Sequence, residues 1–192
     1  LSSEDLESFW CEMKKLLIPK LTKETLGFMV KNGNFKFYGH PISHFGKEYG
    51  YRCLIAIAGF GANPVETAVY LKAEDDDSGE KLSAKNKYLL HFMPNSLPPV
   101  GEHGFWSVTA YGDDNFLISN PLNRYAISNR SNFKLNEDNS LDLILQTEEP
   151  NDNKGNWLPV GNGGFHLFLR IYRPDNSVLN GIWEAPKITK ID

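Results

Sequence analysis

A chain of 192 residues, 41% hydrophobic and 23% charged, has the make-up of a soluble globule, and at this length it buries roughly 70% of its unfolded surface. The formal net charge is −4 and the 20 basic residues are scattered, which disfavours a nucleic-acid partner. No apolar run approaches the roughly 18 residues of a membrane span. Leu at position 1 reads as a processed or excised chain, so compartment stays open.

Ser2 or Ser3 can cap a first helix, with Glu4 and Asp5 favourable at its positive end. Leu6, Phe9, Trp10, Met13, Leu16 and Leu17 recur at helical spacing and predict one apolar face docked on a core, with Pro19 as the stop. The polar side mixes Glu and Lys, which weighs against a membrane-surface helix. Thr22 opens a second short helix through Leu26, Met29 and Val30, stopped by Asn32-Gly33. Phe35 to Tyr38 reads as a short strand. Within 45–58, Tyr51, Leu54, Ile55 and Ala58 share a helical face, and Arg52 is expected at the surface or against a carboxylate. Residues 59–64 break that helix. Their two glycines lack the preceding strand and third glycine of a dinucleotide loop. Cys11 and Cys53 fall in helical segments and are expected to be buried free thiols.

After Pro64 the period changes to two. Thr67, Val69 and Leu71 alternate with Ala68, Tyr70 and Lys72. Residues 74–80 read as a solvated acidic turn, without the spacing of a calcium loop. Tyr88 to Met93 and Phe105 to Tyr111 are strands joined through Pro98-Pro99, and Asp113-Asp114 predicts a hairpin turn into Phe116, Leu117 and Ile118. Leu141, Leu143 and Leu145 point inward from a further strand. Residues 150–164 make a long loop carrying Trp157-Leu158. Phe165, Leu167, Leu169 and Ile171 then alternate against His166, Phe168, Arg170 and Tyr172. Asn180-Gly181 turns the chain into Ile182-Trp183, and Pro186 is expected to end ordered pairing.

A helical first third followed by six or seven short strands predicts an α+β, mainly β fold. It is an antiparallel β-sandwich preceded by a small helical segment. The chain is read as one domain over 1–192, with a helical lead-in over 1–63 packed on a sandwich over 64–188.

Several stretches together resemble a known family. They are Phe105-Trp106-Ser107 with Thr109 and Tyr111, Asn120-Pro121-Leu122-Asn123-Arg124-Tyr125, and Asn156-Trp157-Leu158-Pro159. Arg170-Ile171-Tyr172 and Asn180-Gly181-Ile182-Trp183 with Pro186 complete the set. The chain is similar over 45–188 to the domain of unknown function numbered 1214, which often follows a second uncharacterised domain numbered 1254. The resemblance implies a jelly-roll-like sandwich and no established reaction.

Chemistry is harder to read. No Gly-x-Ser-x-Gly elbow is present. His40 and His44 are separated by Pro41 and share no helical face, and the other histidines lack ligand spacing, so neither a metal nor a cofactor is implied. Asn129-Arg130-Ser131 is a glycosylation sequon, meaningful only in a secreted eukaryotic protein. The constellation that stands out is aromatic and cationic: Trp106, Asn123, Arg124, Trp157, Arg170 and Tyr172, with Tyr125 and Trp183 beside them. If the sandwich joins Asn123-Arg124 to Trp157, a planar cation between aromatic walls suits a small anionic or glycan ligand. The competing reading has the tryptophans filling the core and Arg124 bonding loop carbonyls. Three classes of function follow. The favoured one is a binding or accessory module. The alternatives are a hydrolase-type enzyme using His103 or His166 as base, and a purely structural or oligomer-forming domain.

Overall fold

Period-two patterning builds most of the molecule. The computed structural model describes residues 2–25 and 28–191, with side chains described except at 17, 18, 21, 22, 24 and 25. Among the described residues ten strands form two sheets. The larger runs β1 (Met29–Asn32), β2 (Phe35–Tyr38), β3 (Ala68–Ala73), β9 (Phe165–Pro174), β5 (Val100–Gly112), β6 (Ala126–Ser128). The smaller runs β10 (Lys187–Ile191), β4 (Lys87–Phe92), β7 (Leu141–Gln146), β8 (Trp157–Pro159). The described strand pairs are antiparallel except β7 with β8.

The inward set of β9 is Leu167, Leu169 and Ile171, with Val69 and Leu71 of β3 and Trp106, Val108 and Ala110 of β5 beside it. Tyr88, Leu90 and Phe92 of β4 and Leu141, Leu143 and Leu145 of β7 supply the opposing layer, and all of these are buried. Rings meet across the layers: Phe92 lies 5.7 Å from Trp106 and Tyr88 lies 5.8 Å from Phe165. A one-residue slip of β9 would exchange Leu169 for Arg170, so burial fixes the register.

Three strand expectations are corrected. The turn at Asp113-Asp114 forms, with the Gly112 amide donating to Phe116. The returning segment, however, makes only a single bridge, Tyr111 with Leu117. The long loop over 150–164 is not free. Its Trp157-Leu158-Pro159 stretch is strand β8, buried throughout and paired in parallel with β7. Nor does Pro186 end the pairing: β10 follows it and aligns with β4 from Lys187↔His91 to Ile191↔Lys87. Proline just before a strand costs no ladder bond.

By their contacts the residues divide into two compact units, Leu1–Val30 with Tyr38–Pro64, and Lys31–Phe37 with Val65–Asp192. In the first, α1 (Ser3–Thr25) packs with α2 (Tyr49–Ala58). Helix α1 passes straight through Pro19. The missing N–H removes one bond to the Lys15 carbonyl without breaking the helix. The separate second helix does not form: Thr22 lies within α1, Met29 and Val30 begin β1, and Leu26 lies outside the described residues. Tyr51 centres this unit. Its ring stacks on Phe28 at 4.3 Å and meets Phe45 edge-on at 5.5 Å, and its hydroxyl donates to the Gly39 carbonyl. Burial, then the neighbouring Tyr38, pushes the Tyr51 phenol up to about 12.

Of the apolar face expected to dock, Leu6, Phe9, Trp10 and Leu16 are exposed and Met13 is half-buried, while the side chain of Leu17 lies outside the described residues. Both cysteines are free, but exposed rather than buried. Cys53 is two positions from both buried residues of α2, Tyr51 and Ile55, and so lies on the opposite helix face. On α2 itself, Leu54 is half-buried and Ala58 exposed, while Arg52 is at the surface. In the acidic turn, Asp76 is buried. Its Oδ1 accepts from the Ser78 and Glu80 amides and the Ser78 hydroxyl.

Candidate functional site

Three strands at the centre of the large sheet put their outward residues in rows. Antiparallel partners that face one another directly share a face. One row is Ala68, Tyr172 and Phe105 on β3, β9 and β5, and the next is Tyr70, Arg170 and Ser107. The third is Lys72, Phe168 and Thr109, and His166 opposite Tyr111 ends the series. The face is therefore aromatic with a cation at its centre.

Arg170 is half-buried. Its guanidinium carbon lies 4.9 Å from the Phe168 ring centre and 5.3 Å from that of Tyr111, and Nη2 donates to the Tyr111 hydroxyl at 2.9 Å. Among the described residues no carboxylate pairs with it. Tyr172 stacks on Phe105 at 4.4 Å and 13°, and Arg130 lies 4.3 Å over the other ring partner, Phe105. Tyr70 meets Tyr172 edge-on at 6.0 Å. Burial, then Tyr70, raises the Tyr172 phenol above its ordinary value, so it stays protonated and able to donate. At one end of the face, β5 bulges between Val100 and Phe105. His103 and Arg173 both take positive φ there, at 61° and 53°. A Cβ at Gly104 would come within 2.7 Å of the Tyr172 carbonyl oxygen, so only glycine fits that crossing.

The residues singled out in the sequence divide into three places. Arg170 and Tyr172 stand together on this outward face. Trp106 points the other way and is 2% exposed within the core. Asn123, Arg124 and Trp157 come together at a separate corner. Asn120 builds that corner, its Oδ1 accepting from the Arg124 amide and its Nδ2 donating to the Ile118 and Arg124 carbonyls. Arg124 Nη1 donates to the carbonyls of Lys154 at 2.5 Å and Trp157 at 2.9 Å. Trp157 is buried, with Nε1 donating to the Gln146 carbonyl. Asn123 sits at φ 50° and accepts from the Tyr125 hydroxyl. Sequence reading passed over Tyr70, Phe105, Tyr111, Arg130 and Phe168. The signal was present in the alternation of β9, whose polar-side residues His166, Phe168, Arg170 and Tyr172 must share one face.

The histidines proposed as bases differ in setting. His103 is exposed beside Glu102 at 3.4 Å. His166 is buried, with the Tyr111 ring stacked 5.8 Å away and Phe168 edge-on. Burial, then the positive charge of Lys72, holds its imidazole below the ordinary value. A neutral buried histidine supports the fold above about pH 6.5, and that contribution is lost as pH falls through the depressed value. The urea midpoint should therefore fall between pH 7 and 5, and His166→Phe should flatten that slope; an unchanged slope would contradict the assignment. A histidine–carboxylate pair not anticipated from sequence lies on the smaller sheet. His91 Nδ1 is 2.6 Å from Asp142 Oδ1, and Asn136 donates to Asp142 Oδ2. Among the described residues no three His, Cys, Asp or Glu side chains are placed to hold a metal ion, and no helix is long and apolar enough to cross a membrane.

Fold and face together define a mainly β, two-sheet domain with an aromatic, arginine-centred outer surface. Residues 67–176 match the protein family of unknown function DUF1214, and the chain belongs to that family. No curated protein matches it. A crystallised protein of Vibrio parahaemolyticus is similar over all of this chain and 46% of its own, at 24% identity and a TM-score of 0.70. The chain thus spans about half the length of that protein, and the likeness is one of fold. An uncharacterised protein of Burkholderia cenocepacia is similar over 69% of this chain and 31% of its own, at 14% identity and a TM-score of 0.45.

Proposed function

We propose that the chain is a binding or accessory module whose outward six-stranded face takes a small ring-shaped anion, an acidic sugar being the best fit. The observation that carries this reading is Arg170, half-buried among rings with no carboxylate partner among the described residues. Burying part of a guanidinium without an acid is costly unless another group satisfies it, and a ligand carboxylate can do so through two parallel bonds. The rings of Phe105 and Tyr172 give the site an aromatic border, and the Tyr70 and Tyr172 hydroxyls, bonded to one another, lie beside it. Arg130 and Arg173 lie on or next to the same rows and add positive charge, while Lys72 is paired with Glu74 at 2.7 Å. The proposal sets the ligand on Arg170 and Tyr172 rather than on Arg124, because the Arg124 Nη1 is already engaged by two carbonyls.

The test compares glucuronate and galacturonate with glucose and galactose in thermal unfolding of the intact chain. Acidic sugars should raise Tm in a saturable way and neutral ones should not, and Arg170→Gln should abolish the shift while the unliganded protein still unfolds cooperatively. No shift with either acid, or a shift that survives Arg170→Gln, would sink the reading.

A further inference from the structure

Helix α1 presents four apolar side chains left open among the described residues: Leu6 is 44% exposed, Phe9 53%, Trp10 59% and Leu16 71%. Met13, half-buried, completes the row at helical spacing. Leaving two large aromatics and two leucines in water on one stripe is unusual for a helix that works alone, and such a stripe marks an interface. Ile57 and Phe60 add further exposed apolar surface to the same unit.

What covers the stripe can be read from charge. The first half of α1 carries Glu4, Asp5, Glu7 and Glu12, and the second carries Lys14, Lys15, Lys20 and Lys23, with Glu24 at its end. A helix acidic at its start and basic toward its end is complementary to an antiparallel copy of itself. The stripe is also close to symmetric about residue 11. Two copies laid antiparallel there bring Leu6 opposite the other copy's Leu16, and Phe9 opposite Met13. The same register sets Glu7 beside Lys14 of the other copy, both on one flank of the stripe. A lipid surface fits less well, because the four acids of the first half would be repelled by anionic headgroups.

We propose that α1 is a self-association helix, pairing antiparallel with α1 of a second copy of this chain about a two-fold axis near residue 11. The contact is isologous, so each apolar and each charged contact occurs twice.

Sedimentation equilibrium of the intact chain tests it. The wild type should sediment as a dimer, near twice 21.7 kDa, at micromolar concentrations. Leu16→Glu, at an exposed position, should sediment as a monomer with an unchanged circular dichroism spectrum. A second pair of variants tests the antiparallel register. Glu7→Lys should weaken self-association, as should Lys14→Glu, and mixing the two proteins should restore a dimer through opposite charges. A wild type that stays monomeric at 100-fold higher concentration overturns the proposal. So does a dimer that survives Leu16→Glu, or a mixture of the two charge variants that fails to pair. Binding to phosphatidylserine vesicles by a monomeric wild type would point to the lipid surface instead and would equally overturn it.

Discussion

Trp106→Ala is expected to lower the free energy of unfolding by about 3–5 kcal/mol, the usual cost of removing a large aromatic from a packed core. The side chain is 2% exposed and lies between the sheets, with the Phe92 ring at 5.7 Å and Phe133 at 6.0 Å. β5 is central, paired on one side with β9 and on the other with β6, so its neighbours cannot close the hole without moving both ladders. Urea unfolding followed by tryptophan fluorescence and circular dichroism would measure the loss. If Trp106 were a ligand residue instead, the variant would keep its midpoint, and that result would return it to the candidate site.

Asn156→Ala should cost about 3 kcal/mol although it removes few atoms. Asn156 is 1% exposed and makes three bonds: Oδ1 accepts from the Lys134 amide at 2.8 Å, and Nδ2 donates to the carbonyls of Lys134 at 2.8 Å and Asp142 at 2.9 Å. It thereby ties the segment before β7 to the short 3-10 turn Lys154–Asn156 that leads into β8. Truncation leaves a partly buried backbone amide and two carbonyls without their partner, and an unpaired buried polar group costs more than the bond was worth. Asn156→Asp keeps the acceptor and loses both donations, so it should rescue only part of the loss. Chemical unfolding of the two variants separates these cases. A cost below about 1 kcal/mol for Asn156→Ala would show that water replaces the side chain.

The contrast between these two residues shows what was legible in advance. Trp106 stood out as a large aromatic in an alternating run, but sequence alone left its direction open between core and cleft. Asn156 entered only as part of a family stretch and carried no sign of burial, because an asparagine in a Gly- and Asn-rich loop looks like turn chemistry until its partners 14 and 22 residues away are in place. From the sequence the cleft was expected at Arg124 with Trp157, and Arg170 stood only as a further member of the same constellation. Arg124 bends back onto loop carbonyls through a corner shaped by Asn120, while Arg170 stands on an open strand face.

The sequence by itself determined the strand alternation, the inward set of β9 and β7, the helical start, and family membership through Phe105 to Tyr125 and the segments that follow. These are local or periodic properties, fixed by which side of a strand or helix is apolar. Only the tertiary structure decided that the Trp157 loop is a buried parallel strand, that Pro186 precedes a further strand, and that the α1 stripe lies open. It also decided that Tyr70 and Tyr111 join the Phe168, Arg170 and Tyr172 face of β9 on one surface. Each of these depends on pairing between segments far apart in the chain. No local pattern encodes such pairing, because the hydrogen bonds and burial that select it exist only once the partner strand is present.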